Sequence, residues 1–298
     1  MVGNSRKGKR AAMLISASKS IVRFSSISSA NPITLKNTTK LSLIIPTYNE
    51  GKNISELVKR IENSLNHIPF EIIIVDDNSP DGTGKIAQAL NSKYGNIKIL
   101  TRSGKLGLSS AVLEGFKKAD SSVLSVIDAD MQHPPEILAK MYDKIREGHD
   151  LVVASRYIDG GGAENWKLHR ILLSRGATMI AHLLLPGTRK IKDVMSGCFM
   201  FRNEALDHTN LSPIGFKILL EIMAKSEFDN VAEVPYIFGN RRNGKSNLSV
   251  KEMQNYIMHV LQIFCFSPSA SRNNVPISRT PNSQYELSLS IRKNKTYE

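Results

Sequence analysis

The chain has 298 residues, 41% of them hydrophobic, which is enough for one large domain with a sizeable core. Its net charge of +13 is concentrated at the ends, because residues 41–266 hold 27 basic and 25 acidic residues and are nearly neutral. A nearly neutral centre argues against nucleic acid as a partner of the main domain.

The two terminal segments differ from this centre. Residues 1–40 contain eight basic residues, no acidic residue and many serines, which is typical of either a disordered basic tail or a targeting segment. Residues 267–298 form a polar tail with five basic and two acidic residues. Because basic tails are attracted to anionic lipid, we expect the protein to lie at a membrane surface as a peripheral protein.

From residue 41 onward, apolar runs alternate with segments of helical periodicity. The predicted strands are LSLIIPTYNE, FEIIIVDD, IKILTR, SSVLSVIDAD and DLVVASR, and the predicted helices are NISELVKRIENSL, GKIAQALNSKYG, LSSAVLEGFKKA and PEILAKMYDKIREG. Strands that are apolar on both faces are typical of a parallel sheet covered by helices. The fold class is therefore predicted to be α/β, with a mostly parallel central sheet flanked by helices.

The second half of the chain is less regular. A glycine-rich stretch, YIDGGGAENW, precedes an apolar helix predicted near 166–187, which arginine and histidine residues interrupt. Its apolar runs are far shorter than the ~20 residues that cross a bilayer, so we expect this helix to lie on a membrane surface. The last apolar run, NYIMHVLQIFCF, is also too short to span a membrane.

Polar residues collect at three predicted strand ends, in PTYNE, VDDNSPDGT and DADMQHPPE. In open parallel sheets, ligands bind outside the carboxyl ends of the strands. The third cluster places Asp128 and Asp130 one residue apart, with Gln132 close behind. Such oxygen ligands suit Mg²⁺ or Mn²⁺ shared with substrate phosphates. The alternative is that Asp130 only caps a helix beginning at Pro134.

The remaining polar residues allow more than one interpretation. Asp76 or Asp77 could accept a hydrogen bond from a nucleotide base, or could open an Asx-turn. Glu50 could bind a ligand or favour a helix N-terminus. His133 is expected to point away from the carboxylates, since two prolines follow it. Basic residues stand where phosphate groups would need them, at Arg102, Lys105, Arg156, Arg241, Arg242 and Lys245.

Eight motifs follow one another along the chain: IIPTYNE, IIIVDDNSPDGT, RSGKLGLSSAVLEGF, VIDADMQHPPE, VVASRY, SRGATMIAHLLLPG, DVMSGCFMFR and RNGKSNL. Together they resemble the dolichol-phosphate mannosyltransferases of glycosyltransferase family 2. The resemblance covers about 41–264 and implies a nucleotide-sugar-binding A-type fold, with the catalytic domain over 41–266.

This resemblance implies metal-dependent, inverting transfer of mannose from GDP-mannose to dolichyl or polyprenyl phosphate. Asp128, Asp130 and Gln132 are implied as ligands of Mg²⁺ or Mn²⁺, and Asp130 and Arg241 as catalytic. In one departure, Asn247 stands where the family usually has lysine. The implied substrate-binding residues are Pro46, Tyr48, Glu50, Val75, Asp77, Lys105, Asp128, Ala129, Asp130, Arg156, Ser196, Arg241 and Lys245.

Two alternatives stay open. The same fold could transfer glucose from UDP-glucose to polyprenyl phosphate, or the chain could be a non-catalytic subunit that binds a nucleotide sugar. In each case we expect a cytoplasmic protein, peripheral on the cytosolic face of the cell membrane or the endoplasmic reticulum.

Overall fold

The computed structural model describes residues 41–207, 209–212, 215–241 and 250–266, so both predicted tails and Arg242, Lys245 and Asn247 lie outside the described residues. The strands are β1 (Leu41–Thr47), β2 (Phe70–Asp76), β3 (Ile97–Thr101), β4 (Val123–Val126), β5 (Leu151–Ser155), β6 (Gly162–Ala163), β7 (Phe199–Arg202), β8 (Val231–Pro235) and β9 (Ile237–Phe238). The helices are α1 (Ile54–Ser64), α2 (Thr83–Tyr94), α3 (Leu108–Lys118), α4 (Ile137–Arg146), α5 (Leu168–Leu184), α6 (Ile218–Lys225) and α7 (Val250–Phe266).

Seven of these strands form the central sheet, in the order β3-β2-β1-β4-β7-β5-β8. Every neighbouring pair is parallel except those of β7, which runs antiparallel to both β4 and β5. Strands β6 and β9 form a separate parallel pair. The predicted mostly parallel α/β sheet is therefore confirmed.

Helices cover both faces of the sheet. In β1, Leu43 and Ile45 join the core beneath α1 and α4, whereas Ile44 joins the core on the opposite face, beneath α3. This alternation explains why the strands are apolar along their whole length. The apolar stripe predicted for α1 is completely buried, at Ile54, Leu57, Val58, Ile61 and Leu65. Each such side chain stabilises the fold by roughly 1.5–3 kcal/mol.

Helix α4 begins later than the sequence pattern predicts. Pro134 and Pro135 form a tight turn, in which the N–H of Ile137 donates to the carbonyl of Pro134 over 3.1 Å, and regular helix starts only at Ile137. Asp130 accepts hydrogen bonds from Gln132 and Arg241 and not from this turn. The alternative that Asp130 caps the helix is therefore wrong.

The second half of the chain contains two sheet strands, β7 and β8, that sequence periodicity did not predict. Strand β7 has only four residues, FMFR, and follows a loop after the short 3-10 helix Pro186–Lys190. Four residues are too few to display a period, so pairing with β4 and β5 decides its conformation. None of the helices within the described ranges is long and apolar enough to cross a bilayer.

Candidate active site

The three polar clusters meet at one edge of the sheet, as the sequence predicts. Strand β1 lies between β2 and β4, so the residues that follow all three strands are neighbours. The backbone N–H of Asp77 donates to the carbonyl of Thr47 over 3.0 Å, and that of Asn49 donates to Ser79 Oγ over 2.9 Å. These bonds join the clusters after β1 and β2 into one surface.

Asp130 is buried and is held by one residue close to it in the chain and by one that is far away in the chain. Its Oδ1 accepts from the N–H of Gln132 over 3.1 Å. Its Oδ2 accepts from Arg241 Nε over 3.0 Å and from Arg241 Nη2 over 2.6 Å. The two residues implied as catalytic are therefore in direct contact, although 111 positions separate them.

Asp128 has a partly exposed side chain that faces a cavity. Burial would raise the pKa of this carboxyl, but the nearby His133, Lys217 and Arg241 together hold it below its usual value. His133 Nε2 lies 3.5 Å from Asp128 Oδ2, so the expectation that His133 points away is wrong. Met131, with a φ of 64°, turns the chain so that His133 comes back over Asp128. There its ring stacks on Tyr236 at 5.0 Å.

The loop before β7 brings Gly197 against Asp128. A Cβ atom at Gly197 would overlap the Asp128 carboxylate, so only glycine fits beside it. The neighbouring Ser196 is buried, and its Oγ accepts from the N–H of Cys198 over 3.2 Å. In the structure Ser196 thus shapes the turn that presents Gly197, and contact with substrate stays a prediction.

Replacing Gly197 by alanine is expected to displace the Asp128 carboxylate and leave the sheet intact. Misplacing a binding group by about 1 Å can lower activity by about 100-fold, so we expect a loss of that order in kcat/KM. Gly176→Ala is the matched control, because a Cβ atom there meets nothing within 4 Å. Mn²⁺ titration by electron paramagnetic resonance should show weaker binding in the first variant only. Unchanged Mn²⁺ affinity in Gly197→Ala would contradict the prediction that the Asp128 carboxylate beside Gly197 binds the metal.

Asp128 and Asp130 fit a hard divalent cation. The described residues contain no group of three or more acidic, histidine or cysteine side chains that could complete an all-protein metal site. Mg²⁺ needs no such group where substrate phosphates share it, since one or two carboxylates then suffice. The Gln132 amide nitrogen donates to the carbonyl of Gly239 over 3.1 Å, so its amide oxygen is the atom that would serve as a ligand.

The two carboxylates after β2 hold the protein's own loops. Asp76 accepts from Thr47 Oγ1 over 2.9 Å and from the N–H of Ser79 over 2.9 Å, which is the Asx-turn alternative. Asp77 Oδ2 accepts from the N–H groups of Leu106 and Gly107 over 2.9 and 3.0 Å. Its Oδ1 lies 3.1 Å from Arg102 Nη1. Contact between Asp77 and a base stays a prediction.

The other predicted nucleotide-binding residues differ in how far they are exposed. Lys105 Nζ lies 4.3 Å above the ring of the exposed Tyr48. Pro46 and Val75 are paired in register on β1 and β2 and are buried, as is Ala129, so these three would meet a ligand mainly through their backbones. Burial raises the pKa of Glu50, although its hydrogen bond from Asn53 opposes that rise.

A cavity of about 190 Å³ lies beside Asp128, between α5, α7 and the sheet edge. Three basic residues line it, Arg156, Arg170 and Lys217, together with the two acidic residues Asp128 and Glu252. Its remaining walls are largely apolar and include Trp166, Leu173, Ala177, Met195, Phe216, Phe238, Met253 and Tyr256. Burial and the charge of Arg156 lower the pKa of Lys217 to about 8. The cavity therefore combines basic and acidic side chains with apolar surface.

Sequence reasoning identified Arg156 but missed Arg170 and Lys217. Arg170 interrupts an apolar helix, and that pattern gives no sign that the guanidinium faces inward onto the Trp166 ring at 4.4 Å. Lys217 precedes a short helix and belongs to no motif. Only the tertiary placement of α5 and α6 identifies them.

Comparison with known proteins shows the family to which this chain belongs. Residues 42–209 match the model described as Glycosyl transferase family 2. Over 224 residues the chain is 47% identical to the dolichol-phosphate mannosyltransferase of Pyrococcus furiosus, which covers 75% of this chain and 63% of that protein. Over 242 residues it is 35% identical to the dolichol-phosphate mannosyltransferase of Saccharomyces cerevisiae, which covers 77% of this chain and 89% of that protein.

Solved structures share the fold at low sequence identity. Mannosyl-3-phosphoglycerate synthase from Rubrobacter xylanophilus aligns with a TM-score of 0.55 and 18% identity, over 76% of this chain and 73% of that chain. The mannosyltransferase PcManGT from Pyrobaculum calidifontis, in complex with GDP-Man and Mn²⁺, aligns with a TM-score of 0.53 and 15% identity, over 79% of this chain and 65% of that chain. The expected A-type glycosyltransferase fold is confirmed.

Proposed function

The chain belongs to glycosyltransferase family 2, and from that we propose that it transfers mannose from GDP-mannose to the phosphate of a polyprenol such as dolichol. One observation carries the proposal: Asp128, suited to a metal, lines the same cavity as Arg156, Arg170 and Lys217, suited to phosphate. The relatives named dolichol-phosphate mannosyltransferase support the choice of substrates. This chain spans 63% of the Pyrococcus relative and 89% of the Saccharomyces relative.

The reaction brings two anions together. An oxygen of the acceptor phosphate forms a bond to the anomeric carbon, the bond from that carbon to the diphosphate oxygen breaks, and GDP leaves with the electron pair. Because the acceptor is already an anion, no strong general base is needed. This agrees with His133 being buried and engaged with Asp128 and Tyr236. The protein's main task is to offset negative charge.

Asp128, Asp130 and the amide oxygen of Gln132 would hold the divalent cation, Mg²⁺ or Mn²⁺. When bound, such a cation offsets the charge that builds on the departing diphosphate. Arg241 contacts Asp130, and its guanidinium is proposed to bind a donor or acceptor phosphate as well. Lys245 is proposed to add a cation to the same loop.

The cavity beside Asp128 is proposed to hold the acceptor phosphate and the first part of its lipid chain. Arg156, Arg170 and Lys217 would contact the phosphate, because guanidinium and ammonium groups are the usual partners of that group. The apolar walls formed by α5 and α7 suit an isoprenoid chain.

The transfer reaction tests this function directly. Radiolabelled GDP-mannose and UDP-glucose are supplied in parallel with a short-chain polyprenyl phosphate and Mg²⁺ or Mn²⁺. We expect labelled lipid from GDP-mannose alone. Label from UDP-glucose alone would replace the donor and leave the mechanism in place. Binding of GDP without transfer from either donor would favour the non-catalytic alternative.

A second proposal concerns the membrane. Helices α5 and α7 carry exposed apolar side chains at Leu168, Leu172, Met179, Leu183, Ile257, Met258, Leu261 and Phe264. Tyr256 Oη donates to the carbonyl of Ala177 over 2.5 Å and joins the two helices. An apolar helical surface of this kind lies in a lipid interface. The enzyme is therefore proposed to be peripheral on the cytosolic face of its membrane, with this surface in contact with lipid.

Charged substitutions on this surface should release the protein from lipid. Met179→Glu with Leu183→Glu is expected to weaken binding to anionic liposomes at least 10-fold, since each buried side chain of this size stabilises by roughly 1.5–3 kcal/mol. Gln88→Glu with Ser92→Glu adds the same charge to exposed positions of α2 and should leave flotation nearly unchanged. Equal flotation of the two double variants would argue against this surface.

A further inference from the structure

Arg156 stands directly after β5 and is held by Asp193, a completely buried residue in the loop before β7. Arg156 Nε donates to Asp193 Oδ2 over 2.7 Å, and Arg156 Nη2 donates to Asp193 Oδ1 over 2.7 Å. The backbone N–H of Arg156 donates to the same Oδ2 over 3.0 Å. One carboxylate thus fixes the backbone and the side chain of Arg156 together.

Asp193 is itself fixed from the other side. Glu233, on β8, accepts from the backbone N–H groups of Lys192 and Asp193 over 2.9 and 3.1 Å. Asp193 is therefore attached to the sheet at two neighbouring strands: its carboxylate binds Arg156, directly after β5, and its backbone binds Glu233 on β8. A side chain placed in this way has little freedom to follow a moving partner.

Aromatic rings enclose the guanidinium of Arg156. Its Cζ lies 5.1 Å from the Trp166 ring, 5.3 Å from the Tyr157 ring and 5.4 Å from the Phe238 ring. Asp193 binds the edge of the guanidinium that carries Nε and Nη2. A ligand in the cavity must therefore approach Arg156 from the other edge of the guanidinium. The bidentate pair therefore determines how Arg156 meets an anion.

The pair also fixes the charge balance of the cavity. Burial alone would lower the pKa of Arg156, but Asp193 outweighs this and raises it. The pair as a whole carries no net charge. Asp193 therefore supplies the orientation of Arg156 and leaves most of the positive charge to Arg170 and Lys217.

We propose that Asp193 is a positioning residue for sugar transfer, which acts by holding Arg156 in the orientation that meets the donor or acceptor phosphate. This inference rests on the proposed function. The competing view is that Asp193 and Arg156 form an ion pair that only stabilises the fold. The two views differ in whether kcat/KM of the folded protein falls when Asp193 is replaced, and in whether that fall depends on Arg156.

The test is a double-mutant cycle of Asp193→Asn and Arg156→Lys, with kcat and KM measured for each variant. Asp193→Asn alone is expected to lower kcat/KM by about 10- to 100-fold, since misplaced binding groups have effects of that size. In the Arg156→Lys background the same change should alter kcat/KM by no more than about twofold, because its partner is already altered. Asp193→Glu keeps the charge and should restore part of the activity.

Asp150→Asn is the matched control. Asp150 stands directly before β5, accepts from the N–H groups of Asp229 and Asn230 over 3.1 and 2.9 Å, and lies 3.8 Å from Arg202 Nε. Asp150 is therefore also an acidic residue that fixes a loop next to β5, but it does so at the opposite end of the strand from Arg156. We expect it to leave kcat/KM nearly unchanged and to change only stability.

A spectroscopic measurement separates this inference from the proposed function. The Nε–Hε signal of Arg156, identified by its absence in Arg156→Lys, should be protected from solvent exchange in the wild type and lose that protection in Asp193→Asn. If the wild type transfers no sugar but the signal behaves in this way, the proposed function is wrong, and only the hold of Asp193 on Arg156 is established. If Asp193→Asn does not fold, Asp193→Glu carries the same measurements. Independent, additive effects of the two substitutions, or an unaltered Nε–Hε signal, would overturn the inference.

Discussion

Replacing Asp130 by alanine is expected to abolish sugar transfer while leaving the fold in place. Asp130 is implied as a metal ligand and also binds Arg241 through two hydrogen bonds. A catalytic metal contributes several kcal/mol, so we expect a loss of at least ~10³-fold in kcat/KM. The Arg241 side chain is 29% exposed in this pair, so its release should change the free energy of unfolding by only about 1 kcal/mol.

Asp143→Ala is the control for Asp130, because Asp143 lies on the exposed face of α4. Mn²⁺ titration in the presence of GDP, which supplies the diphosphate but no sugar, checks the metal role separately from catalysis. Weaker Mn²⁺ binding and lost transfer in Asp130→Ala alone would agree with the proposal. Lost transfer with normal Mn²⁺ affinity would show that Asp130 is not a metal ligand. The loss would then be due to the released Arg241 side chain.

Replacing Asp77 by alanine is expected to destabilise the protein strongly. Asp77 accepts from the backbone of Leu106 and Gly107 and pairs with Arg102, whose side chain is only 3% exposed. Removing one partner of a buried pair costs about 3–5 kcal/mol. Glu114 also lies 3.5 Å from Arg102 Nε, but its side chain is 46% exposed, so it replaces only part of the lost interaction. Chemical denaturation should reveal this loss as a lower midpoint with an unchanged slope.

Asp120→Ala provides the contrast for Asp77. Its pair with Lys98 is solvent-exposed, so we expect it to change stability by no more than about 1 kcal/mol. GDP and UDP affinities, measured on both variants, test the predicted base contact of Asp77. A variant of normal stability with a selective loss of GDP affinity would show that the carboxylate serves the base and not the loop.

The sequence was most informative where buried apolar residues recur at short, regular intervals. The helical stripe of α1 and the apolar runs of β1 and β2 predicted their own structure, because each element must cover a core. The resemblance implied both Asp130 and Arg241 as catalytic, and the structure shows them in contact across 111 positions. His133 was misplaced, since the left-handed turn at Met131 depends on its surroundings. Lys217 belongs to no local pattern, and only packing places it at the cavity. Asp193 opens the motif DVMSGCFMFR, but only packing shows that its carboxylate binds Arg156.

Strand β7 pairs with β4 across a long stretch of chain, and this separation affects the order of folding. Strand β1 reaches β2 across about 30 residues of chain, whereas the bond from Ser125 Oγ to the Phe199 carbonyl joins positions 74 apart. Distant pairings close late because their chain entropy must be lost before they stabilise anything. The edge formed by β1, β2 and β3 is therefore expected to be protected from hydrogen exchange early in refolding. Gly197 and Asp193, which reach their partners only through the loop before β7, would arrive last, so catalytic competence should lag behind compaction.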